Sequence, residues 1–167
     1  MGGELRWDEV SSLFGKEGSC ILEGWVEGAG LEGWRAVLDL VTENGWRGEY
    51  SVTEGDPLPL PSAEALFDRP VGGDRPRLRV WPHPEVLVIF DALSVAEVDF
   101  DVDICQLQGQ ERVDVLGGFL GAVGRRLRRP VVLVSEGDEG RGRPLIGFDV
   151  GRDRVLLRPN GQSLYRT

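Results

Sequence analysis

Three aspartates at alternate positions, Asp99, Asp101 and Asp103, are the residues of this chain best placed to do chemistry. The intervening residues of the stretch 98–104 are apolar, so the segment has the two-residue period of a half-buried β-strand. One face of that strand is expected to be apolar and the other to carry the carboxylates. Successive carboxylates on the polar face would lie about 6.5–7 Å apart at their Cα atoms.

This spacing is open to three interpretations. A solvated, negatively charged strand face would discourage pairing with other chains, and an acidic surface could instead bind a basic partner protein. Two carboxylates could also converge on a divalent ion such as magnesium, as in phosphoryl-transfer enzymes. A third carboxylate from a neighbouring strand, such as Asp91 or Glu136, would strengthen the metal interpretation. Against it, the sequence has no Gly-x-x-x-x-Gly-Lys-Ser/Thr loop and no lysine near the aspartates.

Two further motifs carry weaker signals. The stretch Gly28–Gly33 matches the Gly-x-Gly-x-x-Gly pattern of dinucleotide-binding folds, with Glu54 about 20 residues further on. The preceding segment contains Glu23 and Trp25 in place of a continuous buried run, and no further βαβ units follow, so we favour a glycine-rich turn before a helix. His83, the only histidine, lies between two prolines at a predicted exposed turn and is expected to be inert.

The two cysteines, Cys20 and Cys105, lie in apolar, strand-like stretches. We expect two buried free thiols, because the start of the chain lacks signal-peptide features and the cytosol keeps thiols reduced. With a single histidine and no Cys-x-x-Cys, the sequence argues against a zinc site of ordinary composition. No apolar run approaches the roughly 20 residues that cross a membrane. These observations predict a cytoplasmic protein without a cofactor.

Charge is unevenly distributed along the 167 residues, whose net charge is -9. Residues 1–124 contain 23 acids and 9 bases, a net of -14, whereas residues 125–167 contain 5 acids and 10 bases, a net of +5. An acidic body disfavours nucleic acids, whose phosphates need Lys and Arg, and would attract a basic protein. The arginines at 125, 126, 128 and 129 are expected to complement the dipole at a helix C-terminus.

Apolar periodicity predicts the elements that must position these residues. Helices are predicted at 6–14, at about 31–43 with a stop at Asn44-Gly45, and at about 110–128. Strands are predicted at 20–26, 46–53, 77–81, 85–91, 97–104, 131–135, 145–148 and 155–157. The connection at 54–76 is rich in proline and glycine and is predicted to be a long surface loop with a helical turn or two capped by Ser62.

This pattern predicts a single α+β domain over residues 1–160, followed by a frayed tail at 161–167. The sheet should be mainly antiparallel, with the two main helices packed on one of its faces. The helix-bearing crossover between residues 104 and 131 could bring two strands side by side in parallel. Glycines at 117, 118, 121 and 124 in the second long helix predict a close approach to the sheet.

Four stretches in the second half of the chain resemble small acidic immunity proteins of bacterial contact-dependent and secreted toxin systems. They are EVDFDVDI, the helix GQERVDVLGGFLGAVGRRL, the strand PVVLVSEGD and the hairpin PLIGFDVGRDRVLL, within residues 76–158. The resemblance implies a cytosolic α+β domain without enzymatic activity that binds a cognate toxin, often a basic nuclease, through acidic side chains. The arginine-rich last quarter departs from a uniformly acidic pattern.

The sequence therefore favours a non-enzymatic acidic protein that docks a partner protein through Asp99, Asp101 and Asp103, with no cofactor, nucleic acid or membrane. The alternative is a divalent-metal-dependent phosphoryl-transfer or hydrolytic enzyme that uses the same three aspartates. A third interpretation is small-molecule binding in a cleft beside the 54–76 connection. Trp25 and Trp46 would anchor a partner if they were exposed beside the aspartates, and would otherwise belong to the core.

Overall fold

The computed structural model describes residues 5–12, 20–52, 55–68, 75–105, 107–135 and 144–157. The helices in these ranges are α1 (Trp7–Val10), α2 (Gly30–Glu43), α3 (Ala63–Phe67) and α4 (Gln110–Leu127). The strands are β1 (Ile21–Val26), β2 (Arg47–Val52), β3 (Pro76–His83), β4 (Val86–Asp91), β5 (Val98–Asp103), β6 (Val131–Ser135), β7 (Ile146–Asp149) and β8 (Arg154–Leu157). The predicted α+β class is confirmed.

The eight strands form one antiparallel sheet in the order β2-β3-β4-β5-β1-β6-β7-β8. Strand β1 lies between β5 and β6, so that Trp25 is opposite Asp99 on one side and opposite Val132 on the other. The predicted parallel pairing of β5 with β6 is therefore wrong. Both strands run antiparallel to β1, and hence in the same direction, but the crossover through α4 passes over β1 instead of joining immediate neighbours.

Helices α2 and α4 cover one face of the sheet, and aromatic rings fill the space beneath them. Phe119 of α4 lies 6.1 Å from Phe90 and 5.9 Å from Phe100 between ring centroids. Trp34 of α2 is fully buried, 6.4 Å from Phe90 and 5.5 Å from Phe67 of α3. Large rings in edge-to-face contact contribute much of the apolar area that a domain of this size buries.

Local signals that the sequence predicted set the end of α2 and the start of α3. Helix α2 ends at Glu43 with Asn44 as its C-cap, and Gly45 follows with a φ of 65°. The Ser62 hydroxyl accepts a hydrogen bond from the Ala65 N–H at 3.2 Å and so caps α3. Helix α4 ends at Leu127, and its C-cap Arg128 has a left-handed φ of 55°. The first helix is shorter than predicted, and positions 13 and 14 of the prediction lie outside the described residues.

The glycines of α4 approach the sheet at one position of the four predicted. A Cβ at Gly124 would overlap the ring of Phe148 on β7, whereas Gly117 and Gly118 have open space around them. Gly121 faces the Arg125 side chain. The close approach is therefore confined to the C-terminal end of the helix, because Gly117 and Gly118 lie on faces of the helix that meet no neighbouring element.

The 54–76 connection is partly structured. Besides α3, Leu58 forms an isolated antiparallel bridge with Tyr50 of the edge strand β2, and its N–H donates to the Tyr50 carbonyl at 2.7 Å. Residues 54 and 69–74 of the connection, the last residue of the strand predicted at 46–53, and the tail at 161–167 lie outside the described residues. The single-domain boundaries at 1–160 stay a prediction.

The cysteines contradict the sequence-based expectation. Cys20 and Cys105 form a disulfide, with 5.0 Å between their Cα atoms, and Cys20 is exposed. The antiparallel register of β1 and β5 places Ile21 opposite Asp103, and the Ile104 N–H donates to the Cys20 carbonyl at 2.7 Å. Residues at these strand ends are thereby brought together across a sequence separation of 85. The prediction of two buried free thiols was wrong because it used each cysteine's local sequence and an expected reducing compartment, and neither contains the strand register that brings the two residues together.

Candidate binding surface

The sheet face opposite α2 and α4, called here the outer face, carries the three aspartates. Strand β5 alternates between buried and half-buried positions, with Val98, Phe100 and Val102 directed into the core. Asp99, Asp101 and Asp103 therefore share the outer face, where each is half-buried. The alternation that the sequence predicted for this strand is confirmed.

Cross-strand register adds two further carboxylates to the outer face. Asp91 of β4 lies opposite Asp99, and Glu23 of β1 lies opposite Asp101. Directly opposed residues of an antiparallel pair have Cβ atoms about 4.5–5.5 Å apart. We call these five carboxylates, on three adjacent strands, the acidic cluster: Asp91, Asp99, Asp101, Asp103 and Glu23.

Hydrogen bonds and ion pairs within the chain offset part of this charge. Arg77 of β3 donates through Nε to Asp91 Oδ1 at 3.2 Å. The Asp103 carboxylate accepts from the Cys105 N–H at 3.1 Å. Asp99 and Asp101 are also engaged in interactions within the protein. The acidic cluster is thus integrated into the fold, and a partner would have to complement carboxylates that already have neighbours.

The metal interpretation required a third carboxylate beside the aspartates, and Asp91 does lie opposite Asp99. Within the described ranges, however, there is no group of three or more His, Cys, Asp or Glu side chains that could hold a metal ion. The Arg77 guanidinium also occupies one oxygen of Asp91. The other suggested ligand, Glu136, lies outside the described residues.

The Gly28–Gly33 motif forms a turn and a helix start. Gly28 and Gly30 both have a φ of 68°, a backbone conformation that residues with a side chain rarely adopt. A Cβ at Gly33 would lie 2.6 Å from the Cβ of Ala29, so this glycine relieves crowding at the start of α2, whereas Leu127 of α4 would be at an ordinary contact distance of 3.4 Å. Both neighbours of β1 are antiparallel to it. The crevice between parallel strands in which dinucleotides bind is therefore not present around β1.

Two tryptophans that could have anchored a partner are packed instead. Trp25 lies on the outer face but is only 5% exposed, in a small second hydrophobic cluster with Val132 and Val134. Trp46 is half-buried and packs on Phe119, with 5.6 Å between the ring centroids. The sequence had left core packing open as the alternative for both residues. Trp25 is packed in this way, and Trp46 is only partly so.

Sequence reasoning missed a cavity of about 460 Å³ between the α2–β2 turn and the β3–β4 turn. Its walls include Trp46, Arg47, Trp81 and His83. His83 is the last residue of β3 and is half-buried, so the prediction of an exposed turn position was wrong. The two turns are far apart in sequence, and the antiparallel pairing of β2 with β3 brings them together. The only feature of the sequence that could have indicated this cavity is the pair of tryptophans, a residue type enriched in binding sites.

A second cavity, of about 320 Å³, lies where the 54–76 connection crosses α2. The side chains of Arg35 and Glu64 form an ion pair across its wall. The pKa of Glu64 is lowered by hydrogen bonds from its own backbone N–H and from Arg35. This is the place where the sequence left room for small-molecule binding, and its described lining carries two carboxylates, Asp39 and Glu64, against one cation, Arg35.

No family model, no curated protein and no solved structure matches this chain. The resemblance to immunity proteins accordingly stays a prediction that depends on the stretches quoted above. In the described part of the chain, none of the helices has the length and apolar character needed to span a bilayer.

The outer face is suited to electrostatic recognition. Five carboxylates on adjacent strands produce a negative potential that attracts cations before contact, and such fields raise association rates by about 10- to 1,000-fold. The chain as a whole is acidic, with a sequence pI of about 4.7. The acidic cluster therefore gives this part of the outer face a local excess of negative charge, which the ion pair from Arg77 offsets in part.

Proposed function

We propose that this protein is a non-enzymatic acidic binding protein that docks a basic partner protein on its outer face. The observation that supports the proposal is the register of β4, β5 and β1, which gathers the five carboxylates of the acidic cluster on one surface. Directly opposed like charges destabilise a sheet by several tenths of a kcal/mol a pair. Because folding does not require such a cluster, binding supplies a reason for it.

In its more specific form, the proposal is that the protein is an immunity protein that neutralises a toxin. A toxin that acts on nucleic acid needs a positively charged active site, which carboxylates on a rigid sheet could cover. Charges of this kind mainly increase the association rate and the specificity for the partner, whereas a high final affinity also needs apolar contacts.

The decisive experiment compares two variants that lose three negative charges each. The first is D99N/D101N/D103N on the outer face, and the second is the matched control D8N/E9Q/E32Q, in exposed positions of α1 and α2. The partner to be measured is the polypeptide encoded next to this protein's gene, with stopped-flow association at several salt concentrations. Thermal melting first establishes that both variants are folded.

We expect the Asp-to-Asn variant to associate about tenfold more slowly at low salt and to depend less on salt, and the control to change less than about twofold. Equal effects of the two variants would remove the acidic cluster from the interface. If the neighbouring genes encode metabolic enzymes and none of their products binds, the immunity role fails while docking through the cluster can still be tested with other partners.

The proposal places the protein in the cytoplasm. In that compartment disulfides are usually transient, so the Cys20–Cys105 bond provides a test. Intact cells are quenched with acid and their proteins alkylated, and the mass of the protein reports its thiol state. A substantial reduced fraction is expected, and complete oxidation in cells would contradict a cytoplasmic location.

The second candidate function is divalent-metal-dependent phosphoryl transfer or hydrolysis by Asp99, Asp101 and Asp103. The position of Asp91 opposite Asp99 favours it. An ion that binds only the folded state raises the melting temperature. A rise with millimolar magnesium or manganese that D99N/D101N/D103N abolishes would support this candidate over docking, and an unchanged melting temperature would remove it.

A further inference from the structure

The cavity between the α2–β2 turn and the β3–β4 turn is large enough for a small organic molecule. Its volume of about 460 Å³ lies within the range of about 300–1,000 Å³ found for ligand pockets. It is bordered on one side by residues 44–47 and on the other by residues 81–84. This site is independent of the acidic cluster and of the proposed docking function.

The aromatic walls of the cavity are held in place by their neighbours. Trp46 packs against Phe119 at 5.6 Å between ring centroids. Trp81 lies opposite Arg47 in the β2–β3 register, and the Arg47 guanidinium carbon is 4.4 Å from the centre of the Trp81 ring. Prolines on both sides of His83 restrict the backbone of the opposite wall. A planar ligand would therefore meet surfaces that are already ordered.

The polar groups of the cavity favour an anion. In a chain of net charge -9, the described lining residues include the cation Arg47 and no carboxylate. Glu49 contacts one nitrogen of the guanidinium, Nη2, at 2.5 Å, and the group has five N–H donors in all. The His83 Nδ1 accepts from the Glu85 N–H at 3.1 Å, so the proton of the neutral ring lies on Nε2 and can be donated.

We propose that this cavity binds a small planar aromatic carboxylate. The ring would pack against the indole surfaces that the Arg47 guanidinium leaves uncovered, and the carboxylate would accept charge-assisted hydrogen bonds from Arg47, with His83 Nε2–H as a further donor. Arginine suits this role because its planar guanidinium both stacks on aromatic rings and binds carboxylates through paired N–H groups. The amide of the same ring system would keep the stacking but lose the charge.

The test uses 2-naphthoate as the probe and 2-naphthamide as its neutral counterpart, each titrated into the full-length protein by calorimetry. We expect saturable 1:1 binding of the carboxylate with a Kd below about 1 mM and binding of the amide about tenfold weaker or more. The variant R47Q should weaken carboxylate binding at least about fivefold. The matched control R35Q removes the arginine of the other cavity and should change binding less than about twofold.

Three results would overturn the proposal: no saturable binding at about 5 mM probe, equal affinity for the carboxylate and the amide, or equal effects of R47Q and R35Q. A second variant, W81L, tests the stacking surface and should also weaken binding. Thermal melting monitors the fold of each variant. If W81L fails to fold, R47Q alone still decides, because Arg47 is an exposed side chain that the core does not need.

Discussion

Single residues on the two sides of the sheet are subject to different physical constraints. On the outer face, Asp91 and Asp99 are directly opposed like charges, and the ion pair from Arg77 offsets part of their repulsion. On the helix side, the constraint is space, since Gly124 of α4 lies against the ring of Phe148. A carboxylate can rearrange toward water or a partner, whereas a backbone packed on a ring has no such freedom.

A pair of glycine substitutions tests this difference in space. In Gly124→Ala the new methyl group would overlap Phe148, and the overpacking should outweigh the better helix propensity of alanine, for a net destabilisation of about 1–2 kcal/mol. In Gly118→Ala the position is exposed and open, so stability should rise by up to about 1 kcal/mol. Urea unfolding of both variants measures the difference, and an equal gain in both would show that the α4–β7 contact is looser than described.

At the scale of elements, α2 and α4 are joined by an ion pair between Glu43 and Arg126. The Arg126 guanidinium donates to both carboxylate oxygens, at 2.7 Å and 3.0 Å. These hydrogen bonds lower the pKa of Glu43, despite a smaller opposing effect of desolvation, and raise the pKa of Arg126. Of the four arginines that the sequence assigned to a helix C-terminus, Arg125 and Arg126 lie in the last turn of α4, and the other two follow as the C-cap and the next residue. Arg125 also binds Asp153 of the β7–β8 turn.

This ion pair predicts a small pH dependence of stability. Because the pKa of Glu43 is lower in the folded than in the unfolded state, its contribution is present above the unfolded value of about 4.3 and is lost as the pH falls through the folded pKa. Glu43→Gln should therefore be slightly less stable than the wild type near neutral pH, with the difference disappearing in acid. Unfolding curves from about pH 3 to pH 6 test this. Arg126→Gln is the control and should lower the free energy of unfolding to the same extent. A stability difference between wild type and Glu43→Gln that persists in acid would contradict its assignment to the Glu43–Arg126 ion pair.

The elements were predictable from sequence, but their arrangement was not. The alternation in β5 and the helical spacing in α2 are local patterns, and each produced the predicted element. The position of β1 between β5 and β6 depends on pairings between residues distant in the chain, and a local period carries no information about register. For the same reason, the shared face of Asp99 and Asp101 was predictable, whereas the addition of Glu23 to the cluster and the formation of the Trp81 cavity were not.

At the scale of the whole molecule, the N-terminal and C-terminal parts of the chain are interleaved. The described residues before β1 contact the start of α4, where the Trp7 N–H donates to the Gln110 side chain at 2.7 Å and Gln110 in turn donates to the Leu5 carbonyl at 2.8 Å. Leu5 and Val10 are buried in the main core. The Cys20–Cys105 disulfide joins the same two parts of the chain covalently.

The disulfide should make a large contribution to global stability. Cross-linking residues separated by 85 positions removes conformational entropy from the unfolded chain, by about 4–5 kcal/mol in the chain-entropy description, although measured effects are often nearer 2–4 kcal/mol. Reduction should therefore lower the melting temperature markedly. The control C20S/C105S should have a melting temperature near that of the reduced wild type, and the reductant should not change it. The control therefore separates the effect of the disulfide from other effects of the reagent. Identical melting of oxidised and reduced wild type would mean that contacts such as those of Gln110 and Leu5 hold the two parts of the chain together without the covalent link.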